Sequence, residues 1–189
     1  MNEIAERLAK RLFDTPIIQN QFRSTFVEAM LEPVLEKAGW KYTGDGWSGW
    51  DFERDDGARL EVKQSAAIQT WSKARNIVTK GAFDIAGRTG YFFEGGSKWE
   101  PTPGRPANVY VFAWNNTEDH SRPENWMFFV VPTSCLPPQK TISLVKVKTL
   151  STNAGQNGPV TLSELSARVT NVLTMNPPAV RIDTANLSP

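Results

Sequence analysis

One acidic turn constrains the fold of this chain more than any other stretch. Asp55-Asp56-Gly57 separates two segments in which polar and apolar residues alternate. It suits a three-residue hairpin loop, whose last position is left-handed and favours glycine. The predicted register sets Phe52 against Leu60 and Asp51 against Glu61. A two-residue loop would instead set Phe52 against Glu61, and a slip that mixes core with polar residues is disfavoured where one face is buried.

The predicted hairpin has two faces of different character, because successive strand side chains point to opposite sides of a sheet. The expected apolar face comprises Trp50, Phe52, Leu60 and Val62. The expected polar face comprises Asp51, Glu53, Arg59, Glu61 and Lys63. Directly opposed residues have Cβ atoms roughly 4.5–5.5 Å apart. Two carboxylates at that separation repel unless a cation lies between them or one keeps its proton.

A hard divalent cation fits this pair of acids. Mg²⁺ prefers oxygen ligands and is usually held by one or two carboxylates together with a substrate phosphate. Lys63 follows Glu61 on the same face, where an ammonium group can steer an attacking water or neutralise charge that builds on a phosphate. The hairpin therefore predicts metal-dependent phosphodiester chemistry, with Asp51, Glu61 and Lys63 as candidate catalytic residues.

Asp51, followed after nine residues by Glu61-Val62-Lys63, resembles the PD-(D/E)xK signature of the restriction-endonuclease-like nuclease superfamily. Trp50 departs from that signature, since a proline often precedes the first acid. The resemblance implies that Asp51, Glu61 and the backbone carbonyl of Val62 bind Mg²⁺, for which Mn²⁺ would substitute. It also implies that Lys63 is the family's catalytic lysine.

Members of that family commonly have a glutamate on the first core helix, and Glu28 is the matching candidate. Glu28 also has simpler interpretations, as a capping-box partner of Thr25 or as part of a solvated helix face. The polar face of the hairpin also has a simpler interpretation, as an exposed surface on which Glu53 and Arg59 form a weak ion pair.

Length and composition bound the remaining possibilities. The 189 residues suit one domain, residues 1–189, with a core at about 20–175. We expect an N-terminal helix, 2–13, and a tail, 177–189, to be peripheral additions to this core. No apolar run approaches a membrane span and the start lacks the order of a signal peptide, so we expect no membrane association. The single cysteine fits a reducing cytoplasm, and a lone histidine, His120, argues against histidine-built zinc sites. We expect His120 to be an exposed loop residue.

Basic residues downstream of the hairpin are the expected contacts to DNA. The net charge is only +1, so bulk charge does not make this a nucleic-acid-coating protein. Residues 62–93, however, contain a single acid against five basic residues, which include Lys63. The nucleic-acid-binding candidates are Lys73, Arg75, Lys80 and Arg88, together with Gln64 and Gln69. Cutting both strands of DNA would favour a homodimer.

The order of predicted elements is helix, helix, strand, hairpin, helix, strand, strand, edge strand and helix. This order favours an α/β fold with a mixed central β-sheet flanked by helices, the layout of the restriction-endonuclease-like family. The second helix is expected to bury Phe22, Phe26, Ala29 and Met30. Residues 109–114 and 126–131 should form the sheet centre. Residues 141–150 are expected to form an edge strand, and a capping box at 161–164 should open the last helix.

The leading functional expectation is an Mg²⁺-dependent DNA endonuclease of restriction or repair type. The alternative is a nuclease-like module that binds nucleic acid or protein without catalysis. A carbohydrate-binding domain is a third class, suggested by seven tryptophans. We disfavour it because Trp50, Trp114 and Trp126 lie in predicted strands and should pack in the core.

Overall fold

A computed structural model describes residues 2–44, 48–73, 75–93, 97–155 and 157–177. Most of the tail predicted from residue 177 therefore lies outside the described residues. The α-helices are α1 (Glu3–Phe13), α2 (Asn20–Glu36), α3 (Thr70–Lys73), α4 (Leu144–Asn153) and α5 (Leu165–Met175). The strands are β1 (Trp40–Tyr42), β2 (Phe52–Arg54), β3 (Arg59–Ala66), β4 (Ala82–Asp84), β5 (Tyr91–Phe93), β6 (Lys98–Glu100), β7 (Val109–Asn115), β8 (Trp126–Pro132) and β9 (Thr141–Ser143).

The central sheet is mixed and helices flank it, as the sequence predicts. Its strand order is β1-β2-β3-β7-β8, and all neighbours are antiparallel except the parallel pair β3 and β7. Two short ladders, β4 with β9 and β5 with β6, stand beside it. The prediction that the two apolar runs form the sheet centre is correct for β7 and wrong for β8, which is an edge strand. Its residues are buried because α4 and α5 cover its two faces.

Each face of the sheet has its own hydrophobic core. One core packs α2 and α5 against Phe52, Leu60 and Val62. The other lies under α4 and the small ladders and contains Tyr110 and Phe112. Trp114 and Trp126 are buried, as predicted for tryptophans in strands.

The hairpin has the predicted register within its ladder, which begins at Phe52 and so does not include the predicted pair of Asp51 with Glu61. Phe52 pairs with Leu60 and Glu53 with Arg59, and the loop residue Gly57 has a φ of 79°. The predicted ion pair is present, with 3.1 Å between Arg59 Nε and Glu53 Oε1. The left-handed turn and the alternating pattern therefore specify this part of the sheet.

The predicted face of Trp50 is wrong. Trp50 belongs to the core opposite to that of Phe52, Leu60 and Val62. Strand β2 begins only at Phe52, so strand alternation does not extend back to residue 50. The Arg59 guanidinium lies over the Trp50 indole, with Cζ 3.5 Å from the ring centroid. The indole Nε1 donates to Glu53 Oε2 at 3.2 Å.

Helix α2 buries a different stripe from the predicted one. Its buried residues are Arg23, Val27, Leu31 and Leu35, whereas Phe22, Phe26 and Met30 are half-buried and Ala29 is exposed. The helix starts at Asn20 and continues through Pro33. Thr25 is therefore inside the helix and caps nothing, which removes the capping-box interpretation of Glu28.

The predicted edge strand at 141–150 is wrong beyond its first three residues. After β9 the chain turns into α4, because the Ser143 side chain caps the helix by accepting from Lys146 N–H. Leu144, Val147 and Leu150 are buried at the three-residue spacing of a helix. The other predicted cap is confirmed, since Thr161 and Glu164 form a capping box before α5.

His120 is fully buried, so the prediction of an exposed loop histidine is wrong. The imidazole Nδ1 accepts from Ile18 N–H at 3.2 Å, and the backbone N–H of His120 donates to Pro16 O at 2.6 Å. It thereby fixes the segment before α2. Among the described residues, no helix has the length and apolar character needed to cross a bilayer.

Candidate functional site

Asp51 occupies a notch where the hairpin ladder ends and β3 continues. Its backbone N–H donates to Leu60 O at 3.0 Å, and its carbonyl accepts from Thr43 N–H at 2.8 Å. The side chain turns into the sheet edge, where Oδ2 accepts from Val62 N–H at 2.6 Å. The N–H and C=O of a strand residue point to the same edge, so the carbonyl of Val62 faces this notch as well.

Glu61 and Lys63 lie on β3 two residues apart and form an ion pair between Oε1 and Nζ. Register with β7 puts Glu61 beside Tyr110 and Lys63 beside Phe112, on one face of the sheet. The side chains are mostly buried, with 14% of Glu61 and 24% of Lys63 exposed. Both charges are therefore held where water screens them weakly.

Glu28 approaches the same notch from α2. Its Oε2 accepts from the hydroxyl of Tyr42 at 3.0 Å. Its charge acts on Asp51, and the charges of Glu61 and Lys63 act on Glu28. The four residues that the sequence proposes as catalytic therefore act on one another electrostatically, but only Glu61 and Lys63 are in direct contact. Glu61 and Lys63 line a cavity whose wall does not include Asp51 or Glu28.

The three carboxylates all resist ionisation. Burial raises the pKa of Asp51 well above its usual value, and the charges of Glu61 and Glu28 add to this effect. Burial also raises the pKa of Glu61, against the opposing effect of Lys63. The pKa of Glu28 is raised by burial, although the hydrogen bond from Tyr42 works the other way. Burial therefore disfavours the charged form of all three carboxylates, and the neighbouring groups compensate for this only in part.

Lys63 stays an ammonium group. Burial alone would lower its pKa, but Glu61 and then Asp51 and Asp84 outweigh burial, so the pKa of Lys63 is raised. A lysine in this state cannot act as a general base near neutral pH. It can balance negative charge and orient a hydrogen-bond acceptor.

A cavity of about 230 Å³ opens at Glu61 and Lys63. Its wall includes Asp84 and Arg88, which are paired through Oδ2 and Nη2 at 2.7 Å. The hydrogen bond from Ala86 N–H and the Arg88 charge outweigh burial and lower the pKa of Asp84. The other lining residues are Ser48, Gly49, Ala86, Gly104, Arg105, Pro106 and Tyr110.

Arg105 braces the cavity wall. Its guanidinium donates to four backbone oxygens, those of Ile85, Leu136, Pro137 and Gln139, at 2.6–3.3 Å. These contacts tie the loop before β7 to the segment before β9. Sequence analysis missed Asp84, Arg105 and Tyr110 as cavity residues. The pair Asp84 and Arg88, four residues apart in a glycine-rich segment, was the one local signal for the wall.

Of the basic residues predicted to contact DNA, Arg88 lines the cavity, whereas Lys73, Arg75 and Lys80 are not among its lining residues. Lys73 is exposed and pairs with Glu118 at 3.0 Å, and Arg75 and Lys80 are exposed. The two glutamines make internal contacts, which are described next.

Gln69 is buried, where Oε1 accepts from Arg23 at 2.5 Å and Nε2 donates to Ala66 O at 2.8 Å. Gln64 lies on β3, and its Nε2 is 3.5 Å from Asn20 Oδ1. These contacts hold α2 and α3 against the end of β3. Neither amide is directed into the cavity by any of them.

The oxygen donors in this region are sparse. In the ranges that the structure describes, no three His, Cys, Asp or Glu side chains converge closely enough to hold a metal ion. The oxygens that could ligate a cation here are those of the Asp51 and Glu61 carboxylates and the Val62 carbonyl, and Mg²⁺ accepts sparse protein ligation of this kind. A nearby cation would favour the ionised form of these buried carboxylates.

Comparisons of this chain with protein-family models, with curated proteins and with solved structures found no match.

Proposed function

We propose that this protein is a divalent-metal-dependent DNA endonuclease of the PD-(D/E)xK kind. The observation that carries the proposal is that Asp51, Glu61 and Glu28 are buried within electrostatic reach of the Lys63 ammonium group, with the pKa of each carboxylate raised. A purely structural cluster would gain nothing from burying three carboxylates that resist ionisation. A site that binds a cation and a phosphate uses such groups, because perturbed acids mark functional sites.

Each residue has a task in this proposal. Asp51, Glu61 and the carbonyl of Val62 would hold Mg²⁺ or Mn²⁺, which supplies Lewis-acid polarisation of the scissile phosphate when bound. Lys63 would leave its pairing with Glu61 and compensate charge that builds on the phosphate. Glu28, held by Tyr42, would position a water molecule. Arg88 would contact a neighbouring phosphate from the cavity wall.

A matched set of variants tests the site by cleavage. Supercoiled and linear DNA are incubated with Mg²⁺ or Mn²⁺ and wild-type protein, Asp51→Asn or Lys63→Met. Asn at position 51 can still accept from Val62 N–H, so it removes charge while preserving the hydrogen bond. Glu53→Gln is the control, because Glu53 lies on the same hairpin and pairs with Arg59 outside the cluster.

We expect wild-type protein and Glu53→Gln to cut DNA, and Asp51→Asn and Lys63→Met to lose at least about 100-fold in rate, the usual scale for groups that stabilise charge in the transition state. Cleavage at an undiminished rate in both site variants would refute the site. DNA binding without any metal-dependent cleavage by the wild type would instead favour the inert binding module.

Metal binding gives a readout that does not depend on cleavage. Mg²⁺ should raise the melting temperature of wild-type protein and of Glu53→Gln, since a ligand that binds only the folded state stabilises it. The same shift should be absent in Asp51→Asn. The effect should grow as pH rises, because carboxylates with raised pKa values must lose protons before they bind a cation.

A further inference from the structure

An aromatic cleft of about 560 Å³ adjoins the cavity at Glu61 and Lys63. Ser48, Gly49 and Arg88 line both spaces, so the cleft is the next surface that a chain leaving the cavity on this side would meet. Its remaining wall consists of Thr89, Gly90, Tyr91, Phe92 and Trp99. The volume lies within the range of sites that hold small organic ligands.

Trp99 presents an indole ring to this cleft in a fixed position. It lies on β6 opposite Phe92 of β5, and the two rings meet edge to face with centroids 4.9 Å apart. A Cβ on Gly90 would come within 2.4 Å of the indole, so only glycine lets the ring lie against the backbone there. The indole nevertheless remains 46% exposed. Such a ring is a pre-positioned surface for stacking.

We propose that this cleft binds an unpaired base of single-stranded DNA beside the scissile phosphate, with Trp99 as the stacking surface. The inference rests on the proposed function and names its substrate class, a single strand or the unpaired segment of a branched or frayed duplex. A base inside a duplex has both faces covered by its neighbours, so it reaches an indole only after it is unstacked. An unpaired base offers its face directly.

Arg88 connects the two halves of this site. Its guanidinium is exposed although it pairs with Asp84, and it lies on the boundary between the cavity and the cleft. A single strand alternates phosphates with bases that are free to stack, and proteins bind it by pairing cationic groups with aromatic rings. The same combination of groups is found along one path here. Lys63 and Arg88 would contact phosphates, and Trp99 would stack on a base.

Binding without metal tests the inference. A short fluorescein-labelled oligothymidylate and a duplex of the same length are titrated in EDTA, and fluorescence polarisation reports the affinity. Trp99→Leu removes the ring, Trp99→Phe restores an aromatic face, and Trp71→Leu is the matched control. Trp71 is also exposed, at 54%, but lies on α3 beyond the far end of β3.

We expect wild-type protein to bind the single strand more tightly than the duplex. Trp99→Leu should weaken binding of the single strand about 5- to 100-fold, the equivalent of roughly 1–3 kcal/mol for one stacked base. Trp99→Phe should recover most of the affinity, and Trp71→Leu should match the wild type. Equal affinity of Trp99→Leu and wild type for the single strand, or a wild-type preference for the duplex, would overturn the inference.

An abasic strand identifies the contact as one with a base. Replacing the thymines by abasic sites should lower wild-type affinity to the level of Trp99→Leu, and that variant should not distinguish the two strands. If the abasic strand binds wild type as tightly as the normal strand, the stacking proposal is wrong.

The two proposals can fail separately. Binding of single-stranded DNA that depends on Trp99, without any cleavage in Mg²⁺ or Mn²⁺, would overturn the endonuclease alone. Metal-dependent cleavage that is lost in Asp51→Asn but unaffected by Trp99→Leu on every substrate would overturn the base-stacking site alone.

Discussion

Protonation of His120 should destabilise the folded protein. The imidazole is fully buried and its Nδ1 accepts from Ile18 N–H at 3.2 Å, so the neutral ring carries its proton on Nε2. Among the described residues, no group meets hydrogen-bond geometry at that Nε2. Burial and then the nearby charge of Arg23 lower the pKa of His120 from 6.5 to about 4, and the backbone groups of Ile18 and Ile68 and the charge of Asp119 oppose this only in part.

The size of the effect follows from the depressed pKa. A difference of about 2.5 units corresponds to roughly 3 kcal/mol at full protonation, at about 1.36 kcal/mol per unit. Above pH 6.5 both folded and unfolded chains carry neutral imidazole and the contribution to stability is fully present. As pH falls from 6.5 towards 4, the unfolded chain binds the proton first, so stability falls, by about 2.5 kcal/mol at pH 4.5.

The substitution His120→Asn separates the contribution of His120 to the pH dependence of stability from that of the carboxylates. Asp51, Glu61 and Glu28 have raised pKa values, so they contribute the opposite slope and stabilise the fold as pH falls. His120→Asn offers an acceptor to Ile18 N–H and cannot titrate. Urea unfolding of wild type and His120→Asn at several pH values between 4.5 and 8 gives the difference in unfolding free energy, from which the shared slope cancels.

The chain has one histidine, so a ¹H–¹³C spectrum contains one imidazole signal and its titration is unambiguous. We expect a midpoint near pH 4, and we expect His120→Asn to gain about 2.5 kcal/mol relative to wild type between pH 8 and pH 4.5. A midpoint near 6.5 together with a pH-independent difference between the two proteins would refute the reasoning.

Two further measurements probe buried charge. Asp51→Asn should raise the free energy of unfolding at pH 8 by about 1–3 kcal/mol, the usual size of a single-site effect, because it removes a carboxylate that Glu61 and Glu28 repel. The gain should shrink as pH falls and Asp51 takes up its proton, so lower stability than wild type at pH 8 in urea unfolding would contradict it. Arg23→Met should raise the pKa of His120 above about 4, because it removes a nearby positive charge; an unchanged imidazole midpoint would show that Arg23 does not act on this ring.

Local sequence signals predicted the hairpin well and failed where the strand ended. Gly57 and the alternation of polar and apolar residues fix the register, because both act within a few residues. The same alternation misplaced Trp50, since parity holds only inside a strand and β2 begins at Phe52. In α4 the cap at Ser143 and the helical spacing of its buried residues were present in the sequence, but weak alternation at 142–147 favoured a strand.

The buried polar contacts had no local signal at all. His120 meets Ile18 across 102 residues of sequence, and Arg23 meets Gln69 across 46. No periodicity or turn connects such positions. The candidate catalytic residues could be predicted from the sequence because three of the four lie on one hairpin. The cavity wall could not be predicted, because Arg105 and Tyr110 reach the cavity only through the packing of β7.

During folding, the acids and the wall that covers them should come together at different times. Asp51 reaches Val62 across 11 residues, whereas Arg59 meets Asn108, at the start of the parallel pairing with β7, across 49. Closing the longer loop costs more chain entropy, and non-local pairing is slow. In a newly made chain, the carboxylates of Asp51 and Glu61 would therefore come close together when the hairpin forms, while both are still hydrated. Their resistance to ionisation would appear only when β7 docks, as the last event in building the site.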